Sequence, residues 1–243
     1  MQKTVTARRT RAAAKGLFAL AVAGVMATGA MAAINTSAMP FTVDFTDYRS
    51  GSVDAWLKSK GFQFQRDASD PGKIALRPDA RGLEVQALRP AQGLLINNRI
   101  NPETYSAVEI EWGVSQHPEG ASYERNVNNE AIMVHVFFGT EKKASGSMFV
   151  PDIPAFIGLF LCNQDRVGHP YVGRYYKEAG RYVCVDKAQP QQAVVSRYNL
   201  KDGFRKVFGT EMAQAVTGYS IQVDTSSSKG PSSAHIKRIR FLP

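Results

Sequence analysis

The feature that most constrains the fold of this 243-residue chain is a hydrophobic period of two. In residues 106–114 the apolar side chains occupy alternate positions, and Glu109 and Glu111 lie between them. Successive side chains of a β-strand point to opposite faces of a sheet, so this alternation predicts a strand with one buried face. An amphipathic helix would instead need apolar residues at a spacing of three and four.

Similar short runs recur after residue 40, at 41–45, 62–66, 73–77, 83–88, 93–98, 192–198, 217–225 and 234–242. Two further runs, 131–138 and 155–162, are apolar at nearly every position, which predicts central strands that are covered on both faces. Many short strands separated by Gly, Pro, Asn and Asp are typical of an antiparallel β-sandwich or jelly roll. We therefore expect a mostly β fold in which residues 33–243 form a single sandwich domain.

Two short helices interrupt the strand pattern. The first, over 52–60, carries Trp56 and Leu57 as its large apolar residues. The second has clearer ends, because Asn199 is a typical N-cap and Gly209 is a typical residue to end a helix. Its apolar stripe predicts a helix that packs on the edge of the sandwich.

The positive charge is concentrated at the N-terminus. Residues 1–32 hold five basic residues and no acidic one, so the formal charge of +9 falls to +4 for the rest of the chain. The basic stretch is followed by the apolar run 17–27 and a small-x-small sequence that ends at Ala32, as in a bacterial secretory signal peptide. An uncleaved anchor is the alternative, at the short limit for a membrane span. We expect cleavage after Ala32, no stable membrane span afterwards, and a periplasmic or secreted protein.

Cys162 and Cys184 are the only cysteines, and each lies in an apolar, strand-like segment. Two cysteines in an oxidising compartment are expected to pair. We predict a disulfide bond between neighbouring strands, which would stabilise the fold by roughly 3 kcal/mol through loop closure. A catalytic cysteine is the alternative, but no basic residue directly flanks either position.

The C-terminal half contains five sequence motifs in a fixed order, at 107–112, 128–137, 197–209, 218–225 and 234–241. Together they resemble an uncharacterised family of exported bacterial proteins that is known only as a domain of unknown function, over roughly residues 95–243. The helix motif that begins Arg-Tyr-Asn-Leu-Lys-Asp-Gly-Phe is the most specific of the five. The resemblance implies a sandwich similar to carbohydrate-binding folds, and it supplies no established activity.

Few motifs with a defined chemistry occur in the sequence. It has no His/Cys/Asp cluster with zinc spacing, no calcium-hand loop, no phosphate-binding Gly loop and no Gly-x-Ser-x-Gly elbow. Members of the resembled family tend to carry acids where this chain has Asn128, Asn129 and the serines at 226–228, so a cation site in relatives would be lost here. We predict no metal and no cofactor. Glu109 and Glu111 share a strand face, as a glycosidase pair would, but a solvated strand face is the simpler interpretation.

A second, local resemblance concerns jelly-roll alginate lyases. The segment 174–182 is similar to their Tyr-Phe-Lys-Ala-Gly-x-Tyr strand with one residue inserted, and His135 aligns with the histidine of their Gln-Ile-His motif. Arg125 precedes it, as an arginine does in those enzymes. The resemblance implies that Arg125 would neutralise a uronate carboxylate, while His135 and Tyr182 would transfer protons. Met133 replaces the glutamine of the motif, and a partly buried structural histidine is the alternative for His135.

Aromatic and basic residues supply candidate ligand contacts. Tyr and Trp rings stack on sugars, which makes Trp112, Arg174 and Tyr175 candidates for ligand binding. Basic residues interleaved with aromatic or apolar ones at 174–181 and 237–240 fit nucleic acid, an acidic polysaccharide or a protected strand edge. Export and a mature charge of only +4 argue against nucleic acid, so an acidic polysaccharide or another envelope component is the expected partner.

The sequence favours an exported, non-catalytic β-sandwich that binds a glycan or associates with the cell envelope. A polysaccharide lyase acting on an acidic, uronate-containing glycan is the first alternative, and a structural envelope protein without a small ligand is the second. The lyase interpretation requires Arg125, His135 and Tyr182 to converge in one open groove.

Overall fold

A computed structural model describes residues 39–103, 105–148, 150–212, 214–228 and 230–243. The predicted signal peptide 1–32 and its cleavage site lie outside the described residues and remain predictions. Within the described part of the chain, no helix is long and apolar enough to cross a membrane.

Two β-sheets pack face to face, as the alternating pattern predicts. The six-stranded sheet contains β1 (Phe41–Asp44), β3 (Ile74–Asp79), β4 (Gly82–Ala87), β6 (Ala107–Gln116), β11 (Val194–Asn199) and β13 (Ser232–Leu242). The seven-stranded sheet contains β2 (Gln63–Arg66), β5 (Gln92–Asn97), β7 (Glu130–Lys143), β8 (Ile153–Leu161), β9 (Pro170–Tyr171), β10 (Gly180–Asp186) and β12 (Val216–Asp224). The prediction of a mostly β sandwich is confirmed.

The order of the strands places the two most apolar runs inside a sheet. The seven-stranded sheet runs β2-β5-β12-β7-β8-β10-β9, so β7 and β8 are central strands, as predicted. All pairs in this sheet are antiparallel except β8 with β10, which are parallel. The six-stranded sheet runs β11-β6-β13-β4-β3, with β1 paired to the second half of β13.

The alternating residues of each strand divide between the core and the outer faces. In β6 the residues Val108, Ile110, Trp112 and Val114 are buried in the core, while Glu109 and Glu111 point outwards. The core between the sheets is closed by large side chains that are almost fully buried, among them Trp112, Tyr105, Tyr219, Phe45, Phe62 and Phe241. Burial of this apolar surface is the main force that holds the two sheets together.

Both helices form where the sequence predicts them. The first, α1, spans Val53–Ser59, and the second, α2, spans Leu200–Phe208. The Asn199 side chain accepts a hydrogen bond from the Asp202 N–H, and Gly209 ends the helix with a φ of 74°, a left-handed conformation that glycine adopts without strain. The helix packs through its apolar side, with the Phe204 ring at 5.0 Å from the ring of Phe138 in β7.

The disulfide bond between Cys162 and Cys184 is present. It joins the residue that follows β8 to its neighbour β10, with 5.6 Å between the Cα atoms. The bond closes the connection between these parallel strands, and that connection carries β9 and one wall of the site described below.

The connection between β12 and β13 differs from a hairpin. The short Ser-rich stretch between the last two strands predicts a hairpin loop, but β12 belongs to the seven-stranded sheet and β13 to the six-stranded sheet. The connection therefore crosses from one sheet to the other. A local turn pattern shows where the chain reverses, but the partner of each strand is set by contacts that are distant in sequence.

Candidate functional site

A groove of about 450 Å³ lies on the outer face of the seven-stranded sheet. Its floor is formed by residues that alternate with the core residues of five strands, namely Gln92, Leu94, Ile96, Gln222, Asp224, His135, Phe137, Phe156 and Tyr182. The period of two that buries one face of each strand therefore also assembles the floor of the groove. The volume falls within the range that is usual for small-ligand sites.

The walls of the groove come from the edge strand β2 and from loops. They include Gln65, Arg66, Tyr123, Asn126, Asn128, Val150, Pro151, Ile153, Ser226, Ser227 and the segment from Gly173 to Tyr176. Binding residues are often carried by loops on a rigid scaffold, and here the scaffold is the sheet itself.

The backbone is strained at this groove. Among the described residues, four that are not glycine have a positive φ, and three of them line the groove: Arg66 at 57°, Asn126 at 62° and Tyr176 at 58°. The fourth, Gln191, does not line it. Such conformations are uncommon for residues with a side chain, and they cluster at functional sites. This concentration of strain independently marks the groove as the candidate site.

Aromatic rings occupy the end of the floor nearest β10. The ring of Tyr182 lies 5.6 Å from Phe156, 5.1 Å from Tyr123 and 6.4 Å from His135, measured between ring centroids. Gly158 leaves room for this cluster, because a Cβ atom there would lie 3.0 Å from Tyr182 and 3.2 Å from His135. The absence of a side chain at position 158 of β8 thus allows the His135 ring of β7 and the Tyr182 ring of β10 to approach each other.

His135 and Tyr182 are both uncharged at neutral pH. Burial lowers the pKa of His135 to about 3, and its Nδ1 lies 2.8 Å from the Ser220 hydroxyl of the adjacent strand. Burial also raises the pKa of Tyr182 well above its ordinary value. Neither residue is therefore poised as a base at pH 7, and both offer neutral hydrogen-bonding groups to the groove.

Two carboxyl groups lie together beside the floor, and only that of Asp224 belongs to a residue that lines the groove. Glu130 of β7 and Asp224 of β12 are direct cross-strand partners, and both are buried. Glu130 accepts hydrogen bonds from the Tyr123 hydroxyl at 2.9 Å and from the Gln222 amide at 2.7 Å. Burial raises the pKa of Glu130 well above its ordinary value, and the charge of Asp224 adds to the effect.

Asp224 is enclosed by donors from the turn that follows it and from two segments that are distant in sequence. Its Oδ1 accepts from the Asn129 amide at 2.9 Å and from the Ser226 hydroxyl at 2.7 Å, and its Oδ2 accepts from the Gln92 amide at 3.0 Å. Burial raises the pKa of Asp224, although these hydrogen bonds act against the rise. In the described residues, no group of three or more His, Cys, Asp or Glu side chains is arranged to hold a metal ion.

Sequence reasoning missed Glu130 and Asp224 as site residues. Each lies at the end of a strand, where an acid is easily explained as a solvated strand terminus. The available signal was their position within the quoted motifs 128–137 and 218–225, which resemble the uncharacterised family. Their proximity depends on the pairing of β7 with β12, which no local pattern shows.

Four of the predicted site residues line the groove, and two do not. His135, Tyr182, Arg174 and Tyr175 line it, with the Arg174 guanidinium 5.5 Å from the centre of the Tyr175 ring. Arg125 is exposed and donates a hydrogen bond to Gln164, so it lies outside the lining.

The structure also corrects the position of Trp112. It is 0% exposed in the core between the sheets, where its Nε1 donates to the Ser196 hydroxyl. It occupies a core position of the period-two pattern in β6, so it does not reach a ligand.

The paired glutamates of β6 belong to the outer face of the six-stranded sheet. Glu109 forms ion pairs with Arg197 and Arg240, and Glu111 forms one with Lys237 at 2.7 Å. The simpler interpretation of a solvated strand face describes this arrangement. Arg238 pairs with Asp44 at 2.8 Å and lies 3.9 Å from Glu111, so acids of this sheet largely compensate the charge of the basic residues at 237–240.

A second cavity of about 260 Å³ lies beside the buried carboxyl pair. It is lined by the loops 117–121 and 163–165 together with Asn129, Glu130 and the strand end around Phe160. Its wall includes Asp165, whose carboxylate accepts from the Ser122 hydroxyl at 2.8 Å. This hydrogen bond ties the two loops together and supports the wall of the groove that contains Tyr123.

Comparison with known proteins finds neither a matching family model nor a matching curated protein. Among solved structures, the K2 cleaved adhesin domain of Lys-gingipain is 11% identical, with a TM-score of 0.36 over 84% of this chain and 100% of that one. The carbohydrate recognition domain of Emp46p is 12% identical, with a TM-score of 0.40 over 82% of this chain and 94% of that one. A variant of the Cel12A cellulase of Rhodothermus marinus is 12% identical, with a TM-score of 0.36 over 74% of this chain and 100% of that one. At these values the likenesses carry no argument about function.

Proposed function

We propose that this protein binds a glycan in the groove of the seven-stranded sheet and does not transform it. The observation that carries the proposal is the composition of a single cavity of ligand size. Tyr175, Tyr176 and Tyr182 line it together with amide and hydroxyl side chains of the floor and loops, among them Gln92, Gln222, Ser226 and Ser227. A sugar has an apolar face and a rim of hydroxyls, so it is complementary to such a mixed surface.

The hydrogen bonds that the protein already makes to the carboxyl groups of Glu130 and Asp224 support binding without catalysis. Glycoside hydrolysis requires one carboxyl group to protonate the leaving oxygen and another to act on the opposite side of the bond. Both oxygens of Glu130 and both of Asp224 already accept hydrogen bonds from the protein. Glu130 does not line the groove, so a bound sugar would not reach it.

The test of binding uses purified protein on a broad glycan array, followed by calorimetric titration with the best oligosaccharide. Replacement of Tyr175, which is 42% exposed at the groove, by alanine is expected to weaken binding roughly two- to tenfold. The matched control is Val195→Ala, which removes an exposed apolar side chain from the six-stranded sheet. The proposal fails when no glycan binds, or when both variants weaken binding equally.

A polysaccharide lyase acting on an acidic glycan is the second candidate, because His135 and Tyr182 share the groove. Arg125 lies outside the lining, and the neutral state of both other residues leaves no strong base at pH 7. The assay follows the ultraviolet absorbance of the unsaturated product with a panel of uronate polymers. Product formation that is lost in Tyr182→Phe would replace the binding proposal with this one.

We also propose that the protein is exported and acts in the periplasm or outside the cell, as an envelope-associated binding protein. The disulfide bond supports this proposal, because such bonds persist in oxidising compartments. Mass spectrometry of the protein from its native cells is expected to show a mature N-terminus at Ala33. An intact N-terminus in a cytosolic fraction would refute export.

A further inference from the structure

Two arginine side chains line the groove without an acid paired to them. Arg66 ends β2 at one edge of the seven-stranded sheet, and Arg174 follows β9 at the other edge. Both line the same cavity. Within the described residues, neither guanidinium forms an ion pair or donates a hydrogen bond.

The loop that carries Arg174 is held in place. Its backbone N–H donates to the Asn128 side-chain oxygen at 3.2 Å, which fixes the amide of Asn128 in one orientation. The amide nitrogen of Asn128 is then buried without a hydrogen-bond partner. A buried donor that lines a groove is costly to leave unsatisfied, so the wall beside Arg174 is short of an acceptor.

The protein does not supply that acceptor. Asp224 is the only carboxylate among the described groove residues, and both of its oxygens are occupied by the donors described above. Burial raises the pKa of Asp224, and the positive charge of Arg66 acts against the rise, so the two groups lie within electrostatic reach. The groove therefore carries more positive charge than its own acid compensates.

The backbone of Arg66 points to the same conclusion. Its φ of 57° is a conformation in which glycine is unstrained and a residue with a side chain is strained. No intramolecular ion pair or hydrogen bond of the guanidinium to the described residues offsets that strain. A strained arginine with a free guanidinium at a cavity is the arrangement expected of a group that is held ready for a ligand.

We infer that the groove selects an anionic glycan, whose carboxylate or sulfate groups are bound by Arg66 and Arg174. This inference rests on the proposed function and names its ligand class. Guanidinium groups bind such anions through paired, charge-assisted hydrogen bonds, which are stronger than those between neutral groups. The aromatic rings contact the sugar face, and the arginines contact the charge.

The test measures calorimetric binding to matched oligosaccharides that differ only in charge. One pair is oligogalacturonate and its fully methyl-esterified form, and the other is a sulfated galactan oligosaccharide and its desulfated form. The unmodified protein is expected to bind one charged form at least about tenfold more tightly than its neutral match, and this preference should shrink as salt is raised. The pair that shows the preference identifies the anion as carboxylate or sulfate.

The variants are Arg66→Gln and Arg174→Gln, with Arg49→Gln as a matched control at an exposed arginine outside the groove. Each groove variant is expected to lose most of the preference, because its affinity for the charged form falls much more than its affinity for the neutral form, and the control should behave as the unmodified protein. A third variant, Arg66→Gly, relieves the backbone strain. It should therefore unfold no more easily than the unmodified protein and still lose the preference.

The possible outcomes separate this inference from the proposed function. Equal binding of charged and neutral forms overturns the anion selectivity and leaves glycan binding in place. A loss of preference in Arg49→Gln equal to that in the groove variants also overturns it, because the effect is then one of overall charge. Absence of binding to every glycan tested refutes the proposed function itself.

Discussion

Replacement of Glu130 by glutamine should make the protein more stable at neutral and alkaline pH. Glu130 is 2% exposed, and burial together with the charge of Asp224 raises its pKa well above the ordinary value of 4.5. Glutamine has nearly the same shape, carries no charge and retains hydrogen-bonding groups toward Tyr123 and Gln222. The substitution therefore removes the titration while it leaves the packing of the strand unchanged.

The sign and size of the effect follow from proton linkage. Between 4.5 and the raised pKa, the folded protein retains the proton on Glu130 while the unfolded chain has lost it. The free energy of unfolding consequently falls by about 1.4 kcal/mol for each pH unit across that window. Below pH 4.5 both states are protonated and this contribution vanishes. The new amide of the Glu130→Gln variant does not titrate, so the advantage of the variant grows from near zero at pH 4.5 up to the folded pKa.

The assay is urea unfolding followed by far-ultraviolet circular dichroism at intervals from about pH 4.5 to about pH 8. The matched control is Glu141→Gln, at an exposed glutamate near the far end of the same strand β7, which should leave the pH dependence unchanged. A Glu130→Gln protein that is less stable than the unmodified protein at the alkaline end of this range would refute the reasoning. It would mean that Glu130 is ionised and stabilised by its donors.

Three further predictions concern the architecture around the site. Removal of the disulfide bond by the double substitution Cys162→Ser and Cys184→Ser should lower the free energy of unfolding by about 3 kcal/mol, seen as a lower urea midpoint, and an unchanged midpoint would contradict the loop-closure argument. Gly158→Ala should lower the free energy of unfolding by about 1–3 kcal/mol and weaken glycan binding, because the new methyl group would lie 2.6 Å from the Met133 sulfur and 3.0 Å from Tyr182. An unchanged melting temperature would contradict this prediction, since it would show that the floor relaxes. Burial raises the pKa of Asp44, but hydrogen bonds from Thr46 and Arg238 outweigh it and lower the pKa to about 2. The ionised Asp44 should therefore add to the free energy of unfolding above about pH 4, and this contribution should be lost as the pH falls towards 2. In Asp44→Asn this fall in the free energy of unfolding between about pH 4 and pH 2 should be smaller by less than about 1 kcal/mol, because the Asp44–Arg238 pair is partly exposed. A larger difference would contradict the prediction.

Local patterns were sufficient wherever a feature depends on neighbouring residues. The alternation in 106–114 predicts β6 and its buried face, and the cap residues Asn199 and Gly209 predict both ends of α2. Each of these depends on backbone geometry over a few residues, which the sequence encodes directly. The pairing of Cys162 with Cys184 was also predictable, since they are the only cysteines.

The candidate site was predictable only in part, because its residues come from strands and loops that are distant in sequence. His135, Tyr182, Arg174 and Tyr175 were identified from sequence, and they line the groove. Their motifs lie on strands and loops that pair within one sheet. Trp112 has the same aromatic character, but its position in the period-two pattern places it in the core. Residue type alone does not distinguish an aromatic side chain that faces a ligand from one that faces the opposite sheet.

The sequence by itself determined that this chain forms a two-layered β structure, which residues of each strand are buried, where its helices begin and end, and which cysteines pair. The tertiary structure decided which strands are neighbours. That pairing placed Glu130 beside Asp224 although 94 positions separate them, and it brought Arg66 and Arg174 from opposite edges of a sheet to one groove. The division follows from the range of the forces involved. Alternation and capping act over a few residues, whereas a strand finds its partner through the burial of apolar surface by the whole domain.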